Sequence, residues 1–410
     1  MRIMRRDFAE ARPRGGQPVS NQAFDLAGLP PMDVPRRLDA LRAKLSDMAL
    51  DALIVSHLAN VRYLTGFSGS AALLLVSEDD ALLVTDGRYG TQAGEQTGSA
   101  GASVTIEVGS VSSQVKALKA RASGMSRIAF EATHLTWSRW RALSKDLGGL
   151  ELVPADGVVE SLRVVKDAGE VARIEAACEI ADQALGNVLE RLARVIGSSR
   201  STERSGRAGD GSVYTTEVGV AMALDFELRR LGASGNSFDT IVASGPNSAK
   251  PHAEPTTRQI MPAELVVVDF GAMVDGYCSD MTRTFSFRDP PDAEQLRMFE
   301  VVAVSQNEGV KSVVAGAMCS DVDAACRRVI DAAGWKDAFS HGTGHGVGLE
   351  IHEAPAVGAG SSDSLYAGAV VTVEPGVYVP GVGGVRIEDS VVVTEQGCRV
   401  LTASPKELVV

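Results

Sequence analysis

The sequence predicts two domains: an α/β domain followed by an α+β domain that is internally duplicated. The chain has 410 residues, more than one compact hydrophobic core usually accommodates. Its first half alternates helical and turn segments with short apolar runs such as "AALLLVS", "ALLVTD", "SVTIEV" and "RIAFEA". Its second half contains two β-hairpin patterns with period-2 alternation, each preceded by helical patterns. These observations together define the predicted fold class.

The domain boundaries follow from changes in composition and periodicity. Residues 1–34 are rich in Arg, Pro and Gly and show no periodicity, so we expect a disordered tail. An amphipathic helix then opens the first domain, which we place at residues 35–160. A long helical pattern opens the second domain, residues 165–410. Inside that domain the polar stretch 197–213, "GSSRSTERSGRAGDGSV", predicts a flexible surface loop.

Composition excludes several classes of function. The net charge of −12 argues against a surface that binds nucleic acid or an anionic membrane. The five cysteines are odd in number, scattered and without a CxxC pair, which favours free thiols in a reducing compartment. No apolar run reaches the length of a membrane span. The N-terminal residues are basic but lack the apolar region of a signal peptide, so we expect a cytoplasmic protein.

The first hairpin presents two carboxylates. Its turn signal is Val274-Asp275-Gly276, in which glycine suits a position with positive φ. Folding the strands about this turn predicts that Asp269 lies opposite Asp280, unless a bulge shifts the pairing. Residues directly opposed across two strands have Cβ atoms roughly 4.5–5.5 Å apart. Two carboxylates that close repel each other unless a cation or a proton lies between them.

The second hairpin repeats this arrangement. Glu374 follows "VVTV", Glu388 follows "VRI", and the turn Pro380-Gly381 lies midway between them. Pairing about that turn allows the two glutamates to face each other. Four carboxylates balance the charge of two divalent cations, and a co-catalytic metal pair is a recurring arrangement for hydrolysis. Oxygen ligands with an imidazole suit manganese, cobalt, zinc or iron better than a structural zinc site with thiolates.

A histidine-rich stretch accompanies the hairpins. "HGTGHGVGLEIHEAP", from His341 to Pro355, holds three of the six histidines in the chain together with four glycines. Glycines allow a ligand or another strand to approach the backbone closely. The pattern therefore indicates metal ligands or proton donors at a site.

These motifs resemble those of the pita-bread metallopeptidases, which include methionine aminopeptidase, Xaa-Pro aminopeptidase, Xaa-Pro dipeptidase (prolidase) and creatinase. The resemblance covers nearly the whole chain from about residue 35. The motifs that carry it are "NVRYLTGFSGS", "IVASGPNSAKPHAEP", "VVDFGAMVDGYCSDMTRTF", "HGTGHGVGLEIHEAP", "TVEPGVY" and "GVRIEDSVVVT". It implies a creatinase-type N-terminal domain, followed by a catalytic domain of two pseudo-symmetric halves around a curved antiparallel sheet.

The resemblance also implies a ligand set for two metal ions. Asp280 and Glu388 would bridge both ions, Asp269 would hold one of them, and His345 with Glu374 would hold the other. We expect manganese, with cobalt, zinc and iron as alternatives. All five ligand positions carry the expected residue, which distinguishes this chain from creatinase and from relatives that have lost catalysis.

Roles for further side chains follow from the same resemblance. His252 would meet the substrate carbonyl, His352 would stabilise the tetrahedral oxyanion, and Glu374 would carry a proton to the leaving nitrogen. His341 would line the pocket on the leaving-group side. No role is assigned to the two remaining histidines, which we interpret as surface or packing residues.

Arg386 is placed by strand alternation rather than by resemblance. It precedes Glu388 by two residues on a strand and therefore faces the same side. We expect it to bind substrate or to orient a ligating carboxylate.

The N-terminal domain favours the proline-specific members of the family. We expect an Xaa-Pro aminopeptidase acting on small peptides with proline in second position, and a homodimer or larger homo-oligomer. The alternatives are an Xaa-Pro dipeptidase and, with less support, a binding protein without turnover. Phe238 departs from the pattern, because some aminopeptidases of this type have tyrosine there.

Overall fold

The computed structural model describes residues 24–198, 215–287 and 289–409. Most of the predicted tail, residues 1–23, and most of the predicted loop, residues 199–213, lie outside the described residues. Residues 24–33 contain neither helix nor strand, and the Phe24 amide donates to the Leu231 carbonyl at 3.0 Å. No helix in the described ranges is long and apolar enough to cross a membrane.

The N-terminal part is a six-stranded mixed sheet covered by helices. The strands are ordered β4-β3-β2-β1-β5-β6. β2 runs antiparallel to its neighbours β1 and β3, and all other neighbouring strands are parallel. The helices and strands are α1 (Val34–Asp47), β1 (Ala52–Val55), α2 (Leu58–Thr65), β2 (Ala72–Ser77), β3 (Ala81–Thr85), α3 (Gly90–Ser99), β4 (Thr105–Val108), α4 (Val111–Arg121), β5 (Arg127–Glu131), α5 (Trp137–Asp146), β6 (Glu151–Ala155) and α6 (Glu160–Arg163).

The central strands of this sheet are apolar throughout because both of their faces are buried. Along β1, Leu53 and Val55 pack into one hydrophobic cluster, and Ala52 and Ile54 pack into another on the opposite face. The continuous apolar runs in the sequence therefore reflect a sheet with two covered faces.

The C-terminal part contains two helix pairs, each followed by strands. Its elements are α7 (Ala168–Ser198), α8 (Glu217–Leu231), β7 (Gly235–Asn236), β8 (Ile241–Ser244), β9 (Val266–Phe270), β10 (Ala272–Val274), β11 (Tyr277–Cys278), β12 (Met281–Phe285), α9 (Ala293–Ser312), α10 (Cys319–Ala332), β13 (Gly344–Gly346), β14 (Glu353–Val357), β15 (Val370–Val373), β16 (Gly376–Val379), β17 (Gly383–Arg386), β18 (Asp389–Thr394) and β19 (Gly397–Val400). One core packs α7 and α8 against β8 and β9, and a second packs α9 and α10 against β15 and β18. The repeat of this arrangement agrees with the predicted internal duplication.

One helix of each pair begins with a side-chain cap. Thr216 accepts a hydrogen bond from the Gly219 amide at the start of α8, and Asp292 accepts from two amides at the start of α9. Such caps satisfy amides that have no partner inside the helix. Gly232 then ends α8 with φ of 115°, a backbone conformation that favours glycine.

The first hairpin has the predicted turn but a different register. Asp275 and Gly276 occupy the two-residue turn with φ of 46° and 77°. Because the turn is centred between these two residues, Asp269 pairs with Thr282. The expectation that Asp269 lies directly opposite Asp280 is therefore wrong. Asp280 precedes Thr282 by two residues, so the two carboxylates meet diagonally.

The second hairpin has the predicted register. Val373 pairs with Asp389 and Gly376 pairs with Arg386, which leaves Glu374 opposite Glu388 between the two ladders. The two hairpins then join each other, because the Glu388 amide donates to the Thr282 carbonyl at 3.1 Å. We call this contact between the start of β12 and the residues before β18 the central junction. It brings acidic residues from both hairpins to one place.

The glycine-rich stretch allows β13 to fit between β14 and β15. A Cβ atom on Gly344 would lie 2.0 Å from the carbonyl oxygen of Thr372, and one on Gly346 would lie 2.2 Å from that of Ala354. Both distances are far below van der Waals contact, and both obstacles are backbone atoms that cannot rotate away. These glycines are therefore required for the approach of the neighbouring strands.

We predict that Gly344→Ala destabilises the protein, because β13 must move away from β15 to admit the methyl group. Overpacking of this kind costs about 1–3 kcal/mol of the free energy of unfolding. The control is Gly360→Ala, at a position where a Cβ atom meets nothing within 4 Å. Urea unfolding followed by circular dichroism measures both variants, and equal midpoints would contradict this packing argument.

Candidate active site

Three carboxylates from the two hairpins converge at the central junction. Ligand atoms of Asp269, Asp280 and Glu388 all lie within 4.8 Å of one another, and all three side chains are buried. Asp269 lies on β9, Asp280 directly precedes β12 and Glu388 directly precedes β18. Residues distant in sequence thus form one compact acidic group.

His345 and Glu374 complete this group. The Nε2 atom of His345 lies 3.5 Å from Oδ2 of Asp280 and 3.4 Å from Oε1 of Glu374. Its Nδ1 atom lies 3.0 Å from the Gly346 carbonyl oxygen, so Nδ1 carries the hydrogen and Nε2 presents its lone pair. Burial lowers the pKa of His345 to about 4. The imidazole is therefore neutral, as a metal ligand must be.

The ionised form of these carboxylates is strongly disfavoured when no cation is bound between them. Burial, with repulsion from neighbouring acids, raises the pKa of Asp280 and of Glu388 well above the usual range. Burial also raises the pKa of Glu374 to about 8, although Arg386 opposes the shift. Close carboxylates of this kind require protons or cations between them.

The free oxygens of the group fit metal ions. Arg386 Nη2 donates to Oδ2 of Asp269, and Thr282 Oγ1 donates to Oε2 of Glu388 at 2.7 Å. The other oxygen of each carboxylate, Oδ1 of Asp269 and Oε1 of Glu388, is buried without a hydrogen-bond partner. Buried polar atoms rarely lack a partner. Each carboxylate is thus fixed by one oxygen and presents the other, as a ligating carboxylate does. These five residues fit two divalent cations, to which oxygen and imidazole donors are suited.

A cleft of about 430 Å³ opens onto this group. It combines the acidic group with apolar side chains and three further histidines. Its lining residues include Phe238, Ile241, Pro251, His252, His341, Ile351 and His352. Every predicted site residue therefore borders this one cleft, and Phe238 presents a ring without a hydroxyl there.

Two of the predicted histidines have defined surroundings. The ring of His352 lies 4.3 Å from that of His345, edge to face. His341 lies 2.9 Å from the Tyr378 hydroxyl through Nε2 and 2.8 Å from the Gly342 carbonyl through Nδ1. Burial and the nearby Arg386 lower the pKa of His341 to about 4. His341 is therefore a neutral group at the cleft wall.

Arg386 borders the cleft but is almost completely buried beside the carboxylates. It is 3% exposed. Besides Asp269, its guanidinium donates to the Tyr378 hydroxyl at 2.7 Å, to Oγ1 of Thr282 at 3.0 Å and to the Pro251 carbonyl at 3.1 Å. These contacts favour the interpretation that Arg386 orients the ligating carboxylates over the interpretation that it binds substrate.

Tyr378 is a site residue that the sequence analysis missed. Its hydroxyl accepts from Arg386 and donates to His341, so it connects the carboxylates to the cleft wall. A signal was present in the sequence, because Glu374, Gly376 and Tyr378 follow each other at intervals of two and such residues share one face of a strand.

Comparisons with known proteins agree with this architecture. The model for the creatinase/prolidase N-terminal domain matches residues 37–165, and the model for metallopeptidase family M24 matches residues 172–395. The uncharacterized peptidase YqhT of Bacillus subtilis is 40% identical over 375 residues, which cover 91% of this chain and 99% of that protein.

Solved structures are similar over nearly the whole length. An Xaa-Pro dipeptidase from Bacillus anthracis has 35% identity and a TM-score of 0.81, covering 92% of this chain and 100% of the other. An X-Pro aminopeptidase from Thermotoga maritima has 33% identity and a TM-score of 0.78, covering 91% and 99%. The predicted pita-bread fold with a creatinase-type N-terminal domain is thereby confirmed. The chain belongs to metallopeptidase family M24.

Proposed function

We propose that this protein is an Xaa-Pro dipeptidase that uses two divalent metal ions to hydrolyse the bond before proline. The observation that carries the proposal is the group of four carboxylates and one imidazole at the central junction, with buried, unpartnered oxygens on Asp269 and Glu388. The sequence favoured an Xaa-Pro aminopeptidase. Proteins named Xaa-Pro dipeptidase match about nine-tenths of this chain and support the dipeptidase interpretation better.

The five acidic and imidazole side chains would hold the ions. In this proposal the metal ligands are Asp269, Asp280, His345, Glu374 and Glu388, and manganese is the expected metal. When bound, such ions polarise the scissile carbonyl and acidify a water molecule near neutral pH. The donor set makes a binding protein without turnover the weaker alternative.

The remaining steps belong to side chains of the cleft. A carboxylate oxygen of Glu374 takes a proton from the attacking water and passes it to the proline nitrogen as the bond breaks. An N–H of His352 donates to the oxygen that gains negative charge. His252 meets the substrate on its carbonyl side, and His341 borders the leaving group.

Apolar side chains give the cleft a surface that suits a proline ring. Phe238, Ile241, Pro251 and Ile351 lie beside the acidic group. They exclude water from one side of the reacting bond, which strengthens the electrostatic interactions of the charged groups. Pyrrolidine carbons would be buried favourably against them.

One observation favours an Xaa-Pro aminopeptidase as the second candidate. A dipeptide carries its C-terminal carboxylate next to the scissile bond, and a cationic partner would bind that charge. Among the described residues that line the cleft, Arg386 is the only arginine or lysine. Its guanidinium is already committed to Asp269 and Tyr378. A longer peptide places its carboxylate elsewhere and does not require this partner.

Hydrolysis of Gly-Pro and of Gly-Pro-Gly with added manganese distinguishes the two candidates. We expect kcat/KM for the dipeptide to exceed that for the tripeptide by more than about tenfold, a difference of about 1.4 kcal/mol in transition-state binding. Gly-Ala is the control for the requirement for proline. Cleavage of the tripeptide alone would establish the aminopeptidase, and cleavage of neither peptide would refute both.

We predict that Asp280→Asn abolishes activity, because it removes one negative charge from the centre of the acidic group. The expected loss in kcat/KM exceeds about 10²-fold. That is more than is lost when a residue that only hydrogen-bonds to a metal ligand is removed. Metal content after dialysis should fall in parallel. Asp239→Asn is the control for metal content, since Asp239 borders the cleft but is exposed. Unchanged activity of Asp280→Asn would refute the two-metal mechanism.

We predict that Tyr378→Phe lowers kcat/KM by about 10–100-fold, the range typical of groups that position metal ligands. The hydroxyl it removes is hydrogen-bonded to both Arg386 and His341. The matched control is Tyr366→Phe, because Tyr366 is 58% exposed. The positioning role also predicts weaker metal binding in Tyr378→Phe alone, measured by titration with manganese. Full activity with unchanged metal affinity would contradict that role.

A further inference from the structure

A second group of potential metal ligands lies in the N-terminal part of the chain. One ligand atom from each of His57, His134 and Glu160 lies within 4.8 Å of the others. His57 directly precedes α2, His134 follows β5, and Glu160 begins α6. None of these residues borders the cleft of the candidate active site.

The distances within this group are close to those of a metal site. Oε1 of Glu160 lies 3.7 Å from Nδ1 of His57 and 3.9 Å from Nε2 of His134. A tetrahedral ion with bonds of about 2.0–2.2 Å places its donor atoms roughly 3.3–3.6 Å apart. Contraction by a few tenths of an ångström would bring both nitrogens to that distance from the glutamate oxygen.

His57 is arranged as a metal ligand usually is. Its Nδ1 atom is buried and has no hydrogen-bond partner. Its Nε2 atom lies 3.0 Å from a carboxylate oxygen of Glu350. A histidine that binds metal typically donates its second ring N–H to a carboxylate, which fixes the ring and leaves the first nitrogen free. This nitrogen lies 3.7 Å from Oε1 of Glu160.

The surroundings of His57 favour a positive charge. Burial lowers the pKa of His57, but Glu160 and Glu350 outweigh that effect and raise it to about 9. The same two carboxylates would favour a divalent cation. An ion at Nδ1 replaces the proton that this nitrogen otherwise carries, so binding releases one proton to solvent.

His134 can supply the second nitrogen. Its ring stacks on that of His57, with centroids 3.6 Å apart and planes 5° from parallel. Coordination requires the His134 ring to tilt out of the stack, and its side chain is 34% exposed, which leaves it room to do so.

We propose that His57, His134 and Glu160 form a separate divalent-metal site, filled by a borderline ion such as zinc with water as the remaining ligand. Two imidazoles and one carboxylate suit such an ion. The ion would crosslink three segments of the N-terminal part, because each ligand comes from a different segment. Through Glu350 it would also reach the loop that carries His352, because Glu350 lies two residues before that histidine.

Equilibrium dialysis of the full-length protein against zinc, followed by mass-spectrometric metal analysis, tests the proposal. We expect His134→Ala and Glu160→Gln each to bind about one zinc ion per chain fewer than the wild type. The matched control is Thr133→Ala, at the neighbouring exposed position, which should bind as much zinc as the wild type. The same difference should persist in Asp280→Asn protein, which separates this site from the candidate active site.

A stability measurement provides a second readout. Zinc should raise the midpoint of thermal unfolding of Asp280→Asn protein and of its Thr133→Ala derivative, since an ion bound only by the folded state stabilises it. The rise should disappear in the His134→Ala derivative. Equal zinc content and equal midpoint shifts in His134→Ala and Thr133→Ala would overturn the proposal and leave the group as an ion-pair cluster.

Discussion

The contacts of Arg386 are the interaction on which the candidate active site depends. Its Nη2 atom holds one oxygen of Asp269, and its Nε atom donates to Thr282, whose hydroxyl holds one oxygen of Glu388. One buried cation thus orients carboxylates from both hairpins. Without it, Asp269 would lose its charged partner in a buried site, which is strongly destabilising. The positions of the free oxygens follow from this arrangement.

The central junction needs a second buried cation to hold the two hairpins together. Arg283 is 1% exposed and donates to the carbonyls of Thr282, Glu388 and Ser404 and to the carboxylate of Asp389. These acceptors belong to both hairpins and to the C-terminal segment. Because a buried guanidinium requires many acceptors, it specifies which strands lie side by side. Arg386 therefore positions the carboxylates, and Arg283 positions the strands that carry them.

Local patterns in the sequence predicted the parts of this architecture that depend on local physics. The turn at Pro380-Gly381 and the alternation around it predicted that Glu374 faces Glu388. The first hairpin was predicted with the right turn and the wrong partner for Asp269, because the pairing depends on where the turn is centred. A local pattern cannot predict contacts between segments that are distant in sequence, such as that of Arg386 with Asp269. For the same reason the sequence could not indicate that His57 and His134 stack.

The N-terminal part contributes to the position of His352 through buried charges. Arg163 is 3% exposed and donates to Glu350 and Glu353, which flank His352, and Lys166 also binds Glu353. Removing either cation would leave Glu353 buried with one partner fewer, at a cost typical of an unpaired buried charge. Glu350 also contacts His57. Both carboxylates of the loop, Glu350 and Glu353, therefore bind side chains of the N-terminal part or of the segment that follows it. Glu350 therefore links the group around His57 to the loop that presents His352 to the cleft, and the two parts of the chain share one electrostatic network.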